Sequence, residues 1–184
     1  MSDRMRWRYG DTNPVVAPVA ADTVIEIGDL VYYDNDPRYP GDKTCFPARD
    51  LPPKPAPEAT ETVGWVDPVR YTQARFAARF LGVAMQRSRA GDTSPIRVAT
   101  TGVFEFECPA PDRFELGDCV GVWVQLEDDE VLRCQSQLVG AVPTGRDAVA
   151  RVARVRVRGD KSVLVDIRSA VMTGGVLEYE GSQP

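Results

Sequence analysis

The strongest constraint on the fold of this chain is a period-two alternation of apolar and polar residues in short runs punctuated by Gly-Asp and Gly-Gly. Residues 103–107 (VFEFE), 120–126, 131–134, 152–158, 163–167 and 176–179 all read this way. Successive side chains of a strand point to opposite faces, so each run is expected to form a half-buried strand. The acidic run Glu127-Asp128-Asp129-Glu130 falls between two of them and reads as a hairpin tip, with Gly159-Asp160 and Gly174-Gly175 as further turn signals. Many short strands with little helix predict an all-β fold, a small β-barrel or β-sandwich. One helix is expected over about 68–79: Asp67-Pro68 can cap and open it, and Tyr71, Arg75 and Arg79 recur at spacing four, as do Phe76 and Phe80.

The strand pattern also carries an internal β duplication. Ile25-Glu26-Ile27-Gly28-Asp29-Leu30-Val31 returns 89 residues later as Phe114-Glu115-Leu116-Gly117-Asp118-Cys119-Val120. A second correspondence matches residues 80–84 with 138–142 and residues 96–98 with 155–157, at offsets of 58 and 59. The drop in offset predicts about 31 extra residues between the first and second elements of the first copy. They coincide with the long loop 35–66, which holds seven of the 15 prolines and so is not expected to form a central strand. A loop of this length is either functional or disordered. Tyr39, Phe46, Leu51 and Trp65 give it apolar anchors for lying on a partner, and an ordinary surface loop is the other reading. The expected organisation is an extended N-terminal arm, residues 1–20, and a β body, residues 21–184.

Composition removes much chemistry. The 184 residues contain no histidine, which excludes Ser/His and Cys/His nucleophile pairs and the usual zinc sites. No phosphate-loop or dinucleotide fingerprint is present, and residues 127–130 lack the alternating oxygen donors of a calcium loop. No catalytic, cofactor-binding or metal-ligating residues are therefore expected, and no cofactor. Cys45, Cys108, Cys119 and Cys134 fit neither a metal knuckle nor a redox pair and read as reduced, mostly packed thiols. A net charge of -5 makes nucleic acid an unlikely partner for the whole surface. With no apolar run long enough for a membrane helix and no secretory signal, the chain is expected to be soluble, made in the cytoplasm and without a membrane partner.

Two basic features are candidates for contact. Arg4, Arg6 and Arg8 flank Trp7 and Tyr9 in an unpatterned segment, which reads either as a frayed tail or as an arm that orders on a neighbouring subunit. Arg154, Arg156 and Arg158 alternate with Val155 and Val157. On a strand they would share one face, either solvated and paired with carboxylates such as Glu178 and Glu180, or a contact stripe for an acidic surface or a nucleic-acid backbone.

The stretch FLGVAMQRSRAGDTSPIRVATTGVFEFE, residues 80–107, resembles the core signature of small phage head-decoration, or capsid cement, proteins: a "GVA", a "GD" or "GE" turn, then a "V…GVF" strand. IEIGDLVYY and FELGDCVGVW resemble that family's "aGD.V" elements. The resemblance implies a non-enzymatic β-barrel or β-sandwich virion protein, often trimeric, that binds the outer surface of a bacteriophage capsid where major capsid subunits meet. The partners it implies are the major capsid protein and further copies of this chain. Three competitors remain: another phage structural component of tail, neck or head fibre, a nucleic-acid-binding β-barrel, and a histidine-free carboxylate hydrolase.

Overall fold

Residues 25–31 and 114–120, alike in sequence, build the same turn. In each, an Asp side chain accepts from the amide three residues earlier, Glu26 N to Asp29 Oδ2 at 3.0 Å and Glu115 N to Asp118 Oδ2 at 2.8 Å. The Asp amide donates back to the Glu carbonyl, and a positive φ closes the loop, 93° at Gly28 and 89° at Gly117. Gly28 N then donates to Ala84 O and Gly117 N to Val152 O, while Ile25 and Phe114 each make one antiparallel bridge, to Ser88 and Arg156. Position 25 thus corresponds to 114, 84 to 152 and 88 to 156.

A computed structural model describes residues 5–35, 41–53, 67–109, 113–127, 131–156 and 159–176. Along the chain lie β1 (Met5–Tyr9), β2 (Pro14–Ala17), β3 (Leu30–Asn35), β4 (Lys43–Pro47), α1 (Pro68–Ala77), β5 (Phe80–Ala84), β6 (Ile96–Ala99) and β7 (Thr101–Glu107). There follow β8 (Cys119–Glu127), β9 (Val131–Ala141), β10 (Ala150–Val152), β11 (Ser162–Arg168) and α2 (Ala170–Thr173), with 3-10 turns at Ala48–Asp50 and Gly145–Asp147. One sheet has the order β2-β6-β5-β3-β4, the other β7-β11-β10-β8-β9 with β1 added outside β7. Under the turn equivalence these are the same order. Each sheet also closes on itself through a single parallel contact, between Val19, just past β2, and Cys45 of β4 in one and between Glu107 of β7 and Leu138 of β9 in the other. The all-β class with an internal duplication is therefore observed, as two small five-stranded barrels.

The cores repeat with the strands. Ala17, Val19, Ile25, Val31, Cys45, Leu81, Ala84, Ile96 and Val98 form one buried cluster. Their equivalents by register, Phe106, Cys108, Phe114, Val120, Val139, Val149, Val152, Val163 and Val165, are all buried in the other. The second cluster continues into the first copy through Tyr32, Phe46, Leu51, Phe76 and Phe80, and the four rings touch in a chain: Tyr32 to Phe46 stacked at 5.5 Å, Tyr32 to Phe76 edge-on at 6.0 Å and Phe76 to Phe80 tilted at 5.8 Å.

The copies differ most between their third and fourth strands, where the second uses residues 142–149 and the first residues 48–79. The expected helix lies in that longer link: Asp67 Oδ1 accepts from Val69 N at 2.9 Å, Pro68 takes the first turn, and the helix ends at Ala77. It rests on the other copy, because buried Gln73 donates to Val122 O at 3.1 Å and Arg70 pairs with Asp147 at 3.0 Å. A segment added to the first barrel is thereby used to hold the second.

Three sequence expectations are corrected. The counterpart of β5 is β10 and that of β6 is β11, so residues 80–84 do not correspond to 138–142, which lie largely in β9, nor 96–98 to 155–157, which lie past the end of β10. The extra residues do lie between the elements at 25–31 and 80–84, but β4 takes part of the expected loop 35–66, so they begin only after the third strand of the copy. Residues 1–20 are no separate arm over their described part, since β1 pairs with β7 and β2 with β6. The pattern at 176–179 and the acidic tip at Asp128, Asp129 and Glu130 fall wholly or mostly outside the described residues.

Candidate docking surface

The N-terminal segment crosses both barrels as an edge. At the β6–β7 junction Thr100 N and Thr101 N both donate to Thr12 O, Thr100 Oγ1 to Asn13 O at 2.7 Å and Thr101 Oγ1 to Asp11 O at 2.6 Å. Asn13 takes φ 38° there and returns Nδ2 to Thr101 Oγ1 at 3.0 Å. On one side of this clamp β1 runs antiparallel to β7, with Met5 opposite Phe106, Arg6 opposite Glu105 and Trp7 opposite Phe104. Met5 turns in against the core and Gly28. Arg6, Trp7, Arg8 and Tyr9 are all exposed, the two aromatics at 54% and 51%. Among the described residues the outer edge of β1 has no strand partner. The result is two aromatic anchors and two guanidinium groups on a strand whose backbone is fixed on one side only.

Glu105 ties β1 to the barrel. It accepts from Ser162 Oγ at 2.6 Å and from Arg8 Nε at 2.8 Å, and these bonds, that of Ser162 foremost, hold its carboxyl below the usual glutamate range. A lowered carboxyl contributes stability that is complete above the ordinary value of about 4.3 and fades as the pH falls through the lowered one. Between about pH 6 and about pH 3 the melting temperature of the wild type should fall more than that of Glu105→Gln, which has already lost the term. Parallel curves would show that the carboxylate does not secure β1.

The other predicted contact residues are placed differently. Phe46 and Leu51 are buried in the chain's own core and are not anchors for a partner. Arg154 and Arg156 do not share one strand face as expected, because β10 ends at Val152 and the described residues beyond it are outside a strand. Arg154 is exposed, but Arg156 is 3% exposed, lies over the Phe114 ring at 5.5 Å and donates to Asp160 O, while Val155 faces out. Arg4, Tyr39, Trp65 and Arg158 lie outside the described residues. The four cysteines are free thiols, and burial pushes Cys45 and Cys134 up to about 12, which leaves them poor nucleophiles at neutral pH.

A polar network went unread in the sequence. Asp29, 1% exposed, accepts from Arg49 Nη1 at 2.8 Å and from Gln137 Nε2 at 2.9 Å, and Arg49 N donates to Ser136 Oγ at 3.1 Å. The turn of one copy is thereby bonded to β9 of the other. A signal existed: Ala-Arg-Asp at 48–50 recurs as Gly-Arg-Asp at 145–147, both in the 3-10 turns after the third strands. No protein family, no curated protein and no solved structure matches the chain.

Proposed function

We propose that this is a structural virion protein that binds the outer surface of a phage capsid and stabilises the contacts between major capsid subunits, as a decoration or cement protein. The observation that carries the reading is β1, which presents Arg6, Trp7, Arg8 and Tyr9 on a strand held along one edge. Trp, Tyr and Arg are the residues that concentrate energy in interfaces, and an open strand edge offers backbone groups as well. The stretch that carries the family resemblance supplies β5, β6 and β7, the frame on which β1 and β2 are mounted. Many copies on a symmetric lattice turn a modest contact at each site into firm attachment. The partners on this reading are the major capsid protein and further copies of this chain, a trimer being preferred, and no enzymatic step is required.

The test is co-sedimentation with undecorated heads. Wild-type protein should pellet with them, and the double variant Trp7→Ala, Tyr9→Ser should bind more than about tenfold more weakly, since each anchor is of hot-spot type. Its melting temperature should be nearly unchanged, as both side chains are exposed. Equal pelleting of the two proteins would remove β1 as the contact. Labelled protein imaged at the tail, neck or a head fibre would reassign the particle site, and steeply salt-dependent binding to DNA would favour a nucleic-acid barrel instead.

A further inference from the structure

The duplication makes one contact inside the molecule a template for another outside it. Within the chain the first copy offers its Gly-Asp turn and the 3-10 turn after β4, and the second copy offers β9. Gln137 Nε2 donates to Asp29 Oδ1 at 2.9 Å and to Ile27 O at 3.2 Å, and Arg49 Nη1 donates to Ser136 Oγ at 3.2 Å. The contact is heterologous, because it joins unlike parts of like bodies. It therefore has two counterparts that it does not use, the turns of the second copy and the third strand of the first.

The counterparts follow from turn and pairing. Asp118 stands for Asp29 and Arg146 for Arg49 in the repeated turns. Cys45 lies opposite Tyr33 as Val139 lies opposite Val122, so, counted back along the chain, Lys43 stands for Gln137 and Asp42 for Ser136. All four counterparts are exposed, whereas Asp29 and Ser136 are buried and Arg49 and Gln137 are half-buried. Leu116, at 69%, is likewise more open than its counterpart Ile27, at 43%.

The residue types on the unused strand have changed in a matched way. The inner contact sets the neutral amide of Gln137 against Asp29, and the equivalent outer one sets the ammonium of Lys43 against Asp118. The inner contact sets the neutral hydroxyl of Ser136 against Arg49, and the outer one sets the carboxylate of Asp42 against Arg146. At both places a neutral partner is replaced by the charge opposite to the group it meets, as complementary surfaces require.

We propose that the turns of the second barrel dock on the start of β4 of a second copy of the chain, by the same relation that joins the two barrels within one chain. Asp118 then meets Lys43, Arg146 meets Asp42, and Leu116 is covered beside them. Each chain carries both halves of this contact, so copies join head to tail and close as a ring where the rotation allows. The proposal gives a surface to the further copies of the chain named in the functional reading and stands without the capsid.

The experiment uses the purified full chain with no heads present, so its failure is separable from that of head binding. In sedimentation at low salt the wild type should run above the 20.2 kDa of one chain. Asp42→Arg and Arg146→Glu each set like charges face to face and should weaken self-association by about tenfold or more. The two substitutions together restore the attraction with the signs exchanged and should return it to within about threefold of the wild type. Both side chains are exposed, so the melting temperatures of all four proteins should be nearly the same. A wild type that sediments as a single chain, single variants that associate like the wild type, or a double variant no tighter than the singles would each overturn the proposal.

Discussion

Replacement of Gly82 by alanine is expected to destabilise the protein by more than about 3 kcal/mol, enough to remove much of its cooperative unfolding transition. A Cβ at this position would lie 1.9 Å from Ala99 O, 2.8 Å from Ala99 C and 3.0 Å from Val98 Cγ1. Two of these atoms are backbone of the neighbouring strand, so no rotamer change relieves the overlap. β5 would have to separate from β6, and with it goes the middle of the sheet β2-β6-β5-β3-β4. The control is Gly91→Ala, at a turn where a Cβ meets nothing within 4 Å and only the positive φ opposes it; that variant should cost about 1 kcal/mol. Urea unfolding of the two variants checks the ranking. Comparable midpoints would mean that β5 and β6 are not packed as closely as Gly82 requires.

A second large effect separates the duplicated turns. Asp29→Ala and Asp118→Ala remove the same local bond to the amide three residues earlier, yet only Asp29 is buried and bonded to Arg49 and Gln137. Asp118 is exposed, so its loss should cost about 1 kcal/mol, that of one turn hydrogen bond. Asp29→Ala should cost about 3 kcal/mol, because it also removes the buried carboxylate to which Arg49 and Gln137 donate. The excess includes the bond from Gln137, which joins one barrel to the other, and the pair with Arg49 within the first. If it is real, the double variant Asp29→Ala, Gln137→Ala should be much less than additive. Equal costs for the two aspartates, read from denaturant midpoints, would show that the barrels do not depend on this bridge.

The parts of the fold that were legible are those decided by neighbours in the chain. The α1 cap is local, an Asp oxygen and an amide two residues on. So is the Gly-Asp turn, which is why its recurrence at a spacing of 89 residues marked a true repeat. The second correspondence misled because short Val, Gly and Ala runs resemble one another wherever they occur; strands are matched by the partners they pair with, and pairing is not written in a pentapeptide.

The contact residues show the same division. β1 looked unpatterned because a strand laid on the outside of a sheet turns in only Met5, and one inward residue makes no period. Phe46 and Leu51 sit in a Pro-rich run that looked unable to build a core, and it is Tyr32 and Phe76, arriving from other elements, that bury them. Arg156 continued an alternation whose strand had already ended; its burial depends on the Phe114 ring and a carbonyl at residue 160.

By itself the amino-acid order determined the all-β class, the helix α1 and the existence of a repeated unit, since alternation, capping and tight turns are each settled within a few residues. Only the tertiary structure decided which strands are equivalent, that each copy closes as its own barrel, and that the N-terminal arginines and aromatics stand on an edge while Arg156 goes inside. Those outcomes depend on which surfaces remain uncovered after distant segments have packed, a property that no local window of the chain contains.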